Sequence, residues 1–271
     1  MKANLKSVHK AVFETINNFP FKNYMERGIG SSSTYVAGAN ESISLAVLKH
    51  LKTGSSILDF GCGPCDKTAI LQALGFKCSG FDDLQDDWHL IPGNKEKIKE
   101  FSSKMGINLC LAEDGALPFK KESFDMVMSN DVLEHLHDSP RELVNDLTEL
   151  IKTNGLLLIT VPNAGNIRKR FQLLVGGTNM PNYKEFYWHH GAWRGHIREY
   201  VRSDLIQLAG FLELEIIELH GCDHMLGVLP KFLRTPYLIV TKLLPNWKDS
   251  WILVARKPPG WKPKRIDPLK I

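Results

Sequence analysis

The chain of 271 residues reads as an open α/β fold, a mostly parallel sheet with helices on both faces. Three features predict it. The stretch Ile57-Leu58-Asp59-Phe60-Gly61-Cys62-Gly63-Pro64-Cys65-Asp66 runs from a short apolar strand through a glycine turn into a helix reaching about Leu74, the opening βα unit of such sheets. Strand-like and helix-like segments then alternate along the chain, which favours parallel pairing through helical crossovers. Leu156 to Val161 is an unbroken apolar run, as a strand covered on both faces requires.

Each element has its own signal. Leu5, Val8, Val12, Ile16 and Phe19 recur at helical spacing. A flexible segment, Gly28 to Thr34, leads to Tyr35, a candidate lid residue or packed aromatic. Asn40 caps a second helix with Ile43, Ala46, Val47 and Leu51 on one face. Lys77 to Asp83 is the second strand, ending in acids; Lys95 to Met105 is an amphipathic helix with Ile98 and Phe101 inward. Ile107 to Ala112 and Ser123 to Asn130 are the third and fourth strands. Ser139-Pro140-Arg141-Glu142 predicts a capped helix start, with Glu142 returning to the cap and Gly155 as the stop. After the fifth strand, Ser203-Asp204 opens a helix ended by Gly210, then Leu212 to Leu219 and Trp251 to Ala255 are the last strands.

Two insertions interrupt the alternation, at 164–200 and 221–249. The first holds Phe171, Tyr183, Phe186, Tyr187, Trp188, Trp193 and Tyr200, well above the 9% aromatic share of the chain. It reads as an acceptor pocket, a satellite core, or a weak contact with a membrane surface. Pro230, Pro236 and Pro245 argue against a long amphipathic helix in the second insertion. The tail from Lys257 is basic and punctuated by proline and glycine, so a solvated, mobile extension is expected.

Composition narrows the class. A formal charge of +4 does not argue for nucleic acid. Five cysteines without framework spacing fit a reducing, cytoplasmic setting, and Cys62-x-x-Cys65 reads as small turn residues rather than a zinc or redox pair. The first residues show no secretory pattern, and no run reaches the ~18 apolar residues of a membrane span.

The glycine turn carries the ligand. Gly61 and Gly63 let the backbone turn sharply and lie against a bound group. A dinucleotide site wants Gly or Ala where this chain has Asp66, and Asp59 inside the strand would repel a pyrophosphate while attracting a cationic ligand. Leu58-Asp59-Phe60-Gly61-Cys62-Gly63 resembles the first motif of class I S-adenosylmethionine-dependent methyltransferases, with Cys65 replacing the usual third glycine. Asp82, 23 residues beyond Asp59, suits a ribose diol, with Asp83 beside it.

The ordered set from Asp114 through Leu117-Pro118-Phe119, Ser123-Phe124-Asp125 and Leu133-Glu134-His135 extends the resemblance, as does His196-Ile197-Arg198-Glu199-Tyr200. It implies a Rossmann-like, seven-stranded sheet of order 3-2-1-4-5-7-6 within a methyltransferase domain over 1–256. It also implies S-adenosyl-L-methionine as cofactor, held by Asp59, Gly61, Cys62, Gly63, Asp82, Asp83, Asp114, Gly115, Ala116, Asn130 and Asp131. Asp114 would accept from the adenine amine, and Asn130 would face the methyl donor or acceptor. His196 and His135 are the candidate catalytic bases, with His189 and His190 behind them; each could instead be a hydrogen-bonded loop residue.

Some quinone-biosynthesis O-methyltransferases similar to this chain place a divalent ion where Asp131, Glu134 and His135 fall. Weighed against a structural role for Glu134 and His135, no metal is expected. A small-molecule acceptor methylated at oxygen is the favoured reading. A cofactor-binding subunit without turnover, a nucleic-acid methyltransferase and a nicotinamide-dependent reductase are the rivals. The chain lacks the Asp/Asn-Pro-Pro-aromatic tetrapeptide of amino-group base methylases.

Overall fold

The computed structural model describes residues 2–16, 18–19, 39–112, 117–223, 226 and 229–266. Its helices are α1 (Lys2–Ile16), α2 (Ala39–His50), α3 (Asp66–Ala73), α4 (Asn94–Lys104), α5 (Arg141–Leu150), α6 (Ile167–Leu174), α7 (Tyr183–Tyr187), α8 (Arg202–Phe211) and α9 (Lys231–Leu243). The strands are β1 (Ser56–Phe60), β2 (Lys77–Asp82), β3 (Asn108–Leu111), β4 (Phe124–Asn130), β5 (Ile151–Pro162), β6 (Glu215–Cys222) and β7 (Ser250–Arg256). They form one sheet of order β3-β2-β1-β4-β5-β7-β6, with β7 antiparallel to both neighbours. This is the Rossmann-like order that the resemblance implied.

Successive strand residues face opposite ways, so each strand feeds two cores. Leu58, Val127, Leu157 and Leu253 pack against Leu147 of α5 and Leu205 of α8. Ile57, Met126, Met128 and Leu158 pack on the other face against Val47 and Leu71. Val12, Phe13 and Ile16 of α1 add a third cluster with Ala69, Ile70 and Phe101.

Several elements differ from the sequence expectation. α5 stops at Leu150, and Gly155 lies within β5. A Cβ there would come within 2.7 Å of Ile151 Cγ2 and 2.9 Å of the Asp125 carbonyl, so close packing, not helix termination, requires the glycine. The capping box at Ser139 does not form. Ser139 Oγ accepts weakly from the Arg141 N–H at 3.3 Å, and Glu142 pairs with Arg141 and Arg265 instead. β6 starts three residues later than predicted, after Glu213 takes a left-handed turn at φ 52°. α9 forms over 13 residues because Pro230 and Pro245 bracket it, leaving only Pro236 inside.

The tail expected to be solvated is tied to the fold as far as Arg265. Lys257 is buried and donates to the Ile151 carbonyl at 2.7 Å. Trp261 Nε1 donates to the Leu212 carbonyl at 2.6 Å. Arg265 pairs with Glu142, Asp146 and Glu149, one acidic face of α5. Composition counted the cations but not the acids awaiting them. Trp261→Ala should therefore lower the unfolding free energy by about 2 kcal/mol, below the cost at a fully buried site because the ring is half-buried. Chemical denaturation measures it; an unchanged midpoint would mean a tail that does not contribute to the fold.

Candidate functional site

The order β2-β1-β4 places a topological switch at β1, and a crevice opens beyond its carboxyl end. The turn after β1 is left-handed at Gly61 (φ 73°), Gly63 (φ 52°) and Cys65 (φ 63°). The amides of Gly61 and Cys62 donate to the Phe81 carbonyl at 2.8 and 3.2 Å, tying the turn to β2. Gly61 has a second reason to lack a side chain: its Cβ would sit 2.3 Å from Val132 Cγ2, in the turn after β4. Cys65, in place of a third glycine, keeps a left-handed backbone without one. Cys62 and Cys65 are buried with their sulfurs 3.6 Å apart, and contact with Cys65, then burial, holds the Cys62 thiol well above its ordinary pKa.

Asp59 anchors the crevice from below. It is 1% exposed, accepts from Thr68 Oγ1 of α3 at 2.7 Å and from Asn130 Nδ2 of β4 at 3.1 Å. Burial raises its pKa from 3.8 to about 6, against the opposing pull of those hydrogen bonds and Lys67. Asn130 is buried and committed to Asp59, with Thr160 Oγ1 donating to its Oδ1 at 3.4 Å. Its amide therefore orients the acid rather than lining the cavity.

A cavity of about 500 Å³ sits above, lined by Phe60, Gly61, Gly63, Asp82, Asp131 and Val132 among others. Asp82 accepts the Gly63 N–H and the Leu84 N–H, each at 2.7 Å, and burial raises its pKa despite both bonds. Asp83 is taken up differently. Arg194 of the first insertion reaches it at 3.1 Å and Asp86 at 2.8 Å, forming a latch across the rim of the cavity. Asp114, Gly115 and Ala116 lie outside the described residues, as does Tyr35.

A second constellation lies beyond Asp131. Glu134, His135 and His196 offer ligand atoms within 4.8 Å of one another. The backbone explains their meeting: the Ile197 and Arg198 N–H groups donate to the Glu134 carbonyl at 2.6 and 3.3 Å. Tyr200 Oη adds a bond to the Leu133 carbonyl at 3.2 Å. His135 Nδ1 sits 2.6 Å from the Arg194 carbonyl and His196 Nδ1 2.8 Å from Glu199 Oε1. Both partners are acceptors, so each Nδ1 carries a proton and each Nε2 is the nitrogen left to face Glu134. Each Nε2 lies 4.0 Å from Glu134 Oε1.

Glu134 is 0% exposed, and neither carboxylate oxygen has a hydrogen-bond partner. Burial, reinforced by Asp131, raises its pKa to about 9. Burial also lowers His196 to about 4, with His135 and Lys169 adding to the shift, so its ring is neutral. A neutral imidazole can accept a proton or bind a cation. The third member of the cluster is His196, not Asp131 as the resemblance implied. Asp131 instead lines the cavity, taking a bond from Thr160 Oγ1 at 3.2 Å and facing Lys67 at 3.5 Å.

His189 stands apart, bonded to the Ala192 carbonyl, and His190 is not part of the cluster. Thr68, Glu199 and Arg194 were not singled out from the sequence. Glu199 was detectable as an acid three residues after His196. Arg194 was detectable as a cation in the aromatic insertion, able to face the acid-rich run Asp82 to Asp87.

Strand order, crevice and glycine turn together define the Rossmann-like fold of class I methyltransferases. The chain belongs to the family described as Methyltransferase domain, matched over residues 34–219. It is similar to an uncharacterised methyltransferase of Schizosaccharomyces pombe, 31% identical over 49% of this chain and 49% of that protein. It is also similar to the mitochondrial ubiquinone biosynthesis O-methyltransferase of Rattus norvegicus, 27% identical over 41% of this chain and 32% of that protein. The chain thus spans about half or less of the length of these curated relatives. Among solved structures it shares the fold of Haemonchus contortus phosphoethanolamine N-methyltransferase 2 in complex with S-adenosyl-L-methionine (TM-score 0.54, 16% identity, 88% of this chain and 60% of that one).

The buried acid gives a pH prediction. Asp59 binds its proton more tightly folded than unfolded, so its ionisation penalises the fold increasingly as pH rises from about 4 through 6. Above the folded value of about 6 the Thr68 hydroxyl serves a carboxylate, below it chiefly a neutral acid. Thr68→Val should cost about 2 kcal/mol at pH 8 and about 1 kcal/mol at pH 5. Equal costs in denaturant titrations at both pH values would contradict an acid that titrates within the window.

Proposed function

We propose that this protein transfers the methyl group of S-adenosylmethionine to a hydroxyl of a small molecule, with His196 accepting the proton. The observation that supports it most is the convergence of two imidazole Nε2 atoms and the buried Glu134 carboxyl group beside the crevice. In this reading Gly61, Cys62 and Gly63 floor the donor's place, Asp82 offers its remaining lone pairs to the ribose, and Asp59 supports the turn. The resemblance assigns the adenine to Asp114, Gly115 and Ala116.

The sulfonium already activates the methyl, so the protein's task is to hold oxygen, carbon and sulfur in line and keep water out. The oxygen–carbon bond forms as the carbon–sulfur bond breaks, the electron pair stays on sulfur, and the acceptor proton passes to His196 Nε2. Glu199 accepts the Nδ1 proton and stabilises the cation that results, and Lys169 holds Glu199 in turn. His135 presents a second imidazole Nε2 nearby. Similarity to an O-methyltransferase supports oxygen as the acceptor atom. Trp193 on the cavity wall supplies an apolar face for a small ring or chain.

One observation favours a second reading. A buried carboxylate without a partner, facing two imidazole nitrogens, fits a divalent cation, and two nitrogens with one oxygen suit zinc better than magnesium. Glu134, His135 and His196 would hold it, and when bound it would acidify the acceptor hydroxyl.

Two variants test these roles. Gly61→Ala should weaken binding of S-adenosylhomocysteine at least tenfold by calorimetry, through the Val132 clash; unaltered affinity would remove the donor from this turn. His196→Ala should lower kcat by about 10² to 10⁴ with donor affinity within twofold of the parent. Retained turnover in radiolabelled methyl transfer to a small-molecule extract would reject the cluster. Elemental analysis separates the two readings: about one zinc per chain, lost with activity in chelator, supports the metal, while full activity in metal-free protein supports His196 as base.

A further inference from the structure

The two insertions share an edge and a chemistry. β5 and β6 run parallel, both antiparallel to β7, so the segments after them leave from the same side of the sheet as the crevice. They are joined there: Asn163 Nδ2 donates to the carbonyls of Asn246 and Lys248 at 2.9 and 2.8 Å, and the Arg170 guanidinium lies 5.4 Å over the Trp247 ring.

Their outward faces are apolar in helical register. On α9, Tyr237 and Thr241 are buried, while Phe232, Pro236, Ile239 and Leu243 form an exposed stripe, Phe232 at 77% and Leu243 at 74%. On α6 the exposed set is Phe171, Leu173 and Leu174, followed by Val175, and on α7 it is Tyr183, Phe186 and Tyr187, followed by Trp188 at 68%. A single exposed apolar side chain is ordinary, whereas three helices in two neighbouring insertions that each expose an apolar face are not.

Charge indicates what covers them. Segments 164–200 and 221–249 together hold ten Lys and Arg against four Asp and Glu. The whole chain holds 34 against 30, so the remainder is net negative and the positive excess resides in the insertions. Lys231 and Lys242 flank the α9 stripe, and Lys184 lies within α7. Exposed apolar and aromatic side chains bordered by cations match the boundary of an anionic bilayer, where rings sit among headgroups and cations meet phosphates. Among the described residues no helix is long and apolar enough to cross a membrane.

We propose that α6, α7 and α9 form a docking face for an anionic phospholipid surface, which places the crevice edge against the bilayer. The sheet and the donor crevice contribute no residue to this face, so it stands independently of the catalytic roles above.

Sedimentation with vesicles tests it on the full chain. Phosphatidylcholine vesicles with 30% phosphatidylglycerol should retain most of the protein at 0.1 M salt, pure phosphatidylcholine at least fivefold less. The variant F232S/I239S/L243S should lose at least fivefold in binding while keeping S-adenosylhomocysteine affinity, which certifies its fold. K231E/K242E should lose the preference for the anionic lipid. Absence of binding to either vesicle would overturn the proposal, as would undiminished binding by the serine variant. A dimer in light scattering that the serine substitutions convert to monomer would overturn it too, assigning the face to a second copy of the chain.

Discussion

A carboxylate almost sealed from water joins the three elements on which the crevice depends. Asp59 leaves β1, takes a hydroxyl proton from α3 and an amide proton from β4. A buried acid is costly without such partners, so the geometry of the turn between β1 and α3 is set by satisfying it. The close approach of Gly61 to Val132 follows from that arrangement, and with it the narrow gap between the β1 and β4 turns. What lies above inherits its position from an ion that never touches the cavity.

The first insertion, residues 164–200, caps the Glu134 turn and is fixed by backbone as much as by side chains. Peptide groups at 197 and 198 dock on the Glu134 carbonyl, and the Tyr200 hydroxyl on that of Leu133. This docking brings His196 to a carboxylate that would otherwise be stranded in the interior. Anchoring the cap and presenting the imidazole are therefore one arrangement, and the pentapeptide from His196 to Tyr200 serves both ends. The fold itself leaves the chemistry open, since one sheet hosts many acceptors.

The sheet was legible because its evidence is local. Apolar runs, glycine turns and their alternation mark Ser56 to Cys78 and Phe124 to Pro162 with little ambiguity. Gly61 and Asp82 were legible as crevice residues because a turn requires residues at fixed offsets, whereas Asp59, read as a cofactor contact, lies buried beneath the cavity. What escaped depended on distant partners. The basic tail read as solvated because Glu142, Asp146 and Glu149 line up only once α5 is built. Asn130 read as a wall of the site because its bond to Asp59, 71 residues away, has no signature in sequence. Glu134, His135 and His196 meet only through the docked cap, whereas the resemblance pointed to Asp131 as the third member.

The Arg194 contacts have a kinetic consequence. This side chain belongs to the cap, yet its partners Asp83 and Asp86 belong to the loop leaving β2. Exchange of spent donor for fresh donor, if it follows that rim, has to part three charge-assisted bonds, all of them open to solvent ions. For the reaction proposed above, turnover limited by this exchange quickens with added electrolyte, whereas turnover limited by breaking the carbon–sulfur bond does not respond.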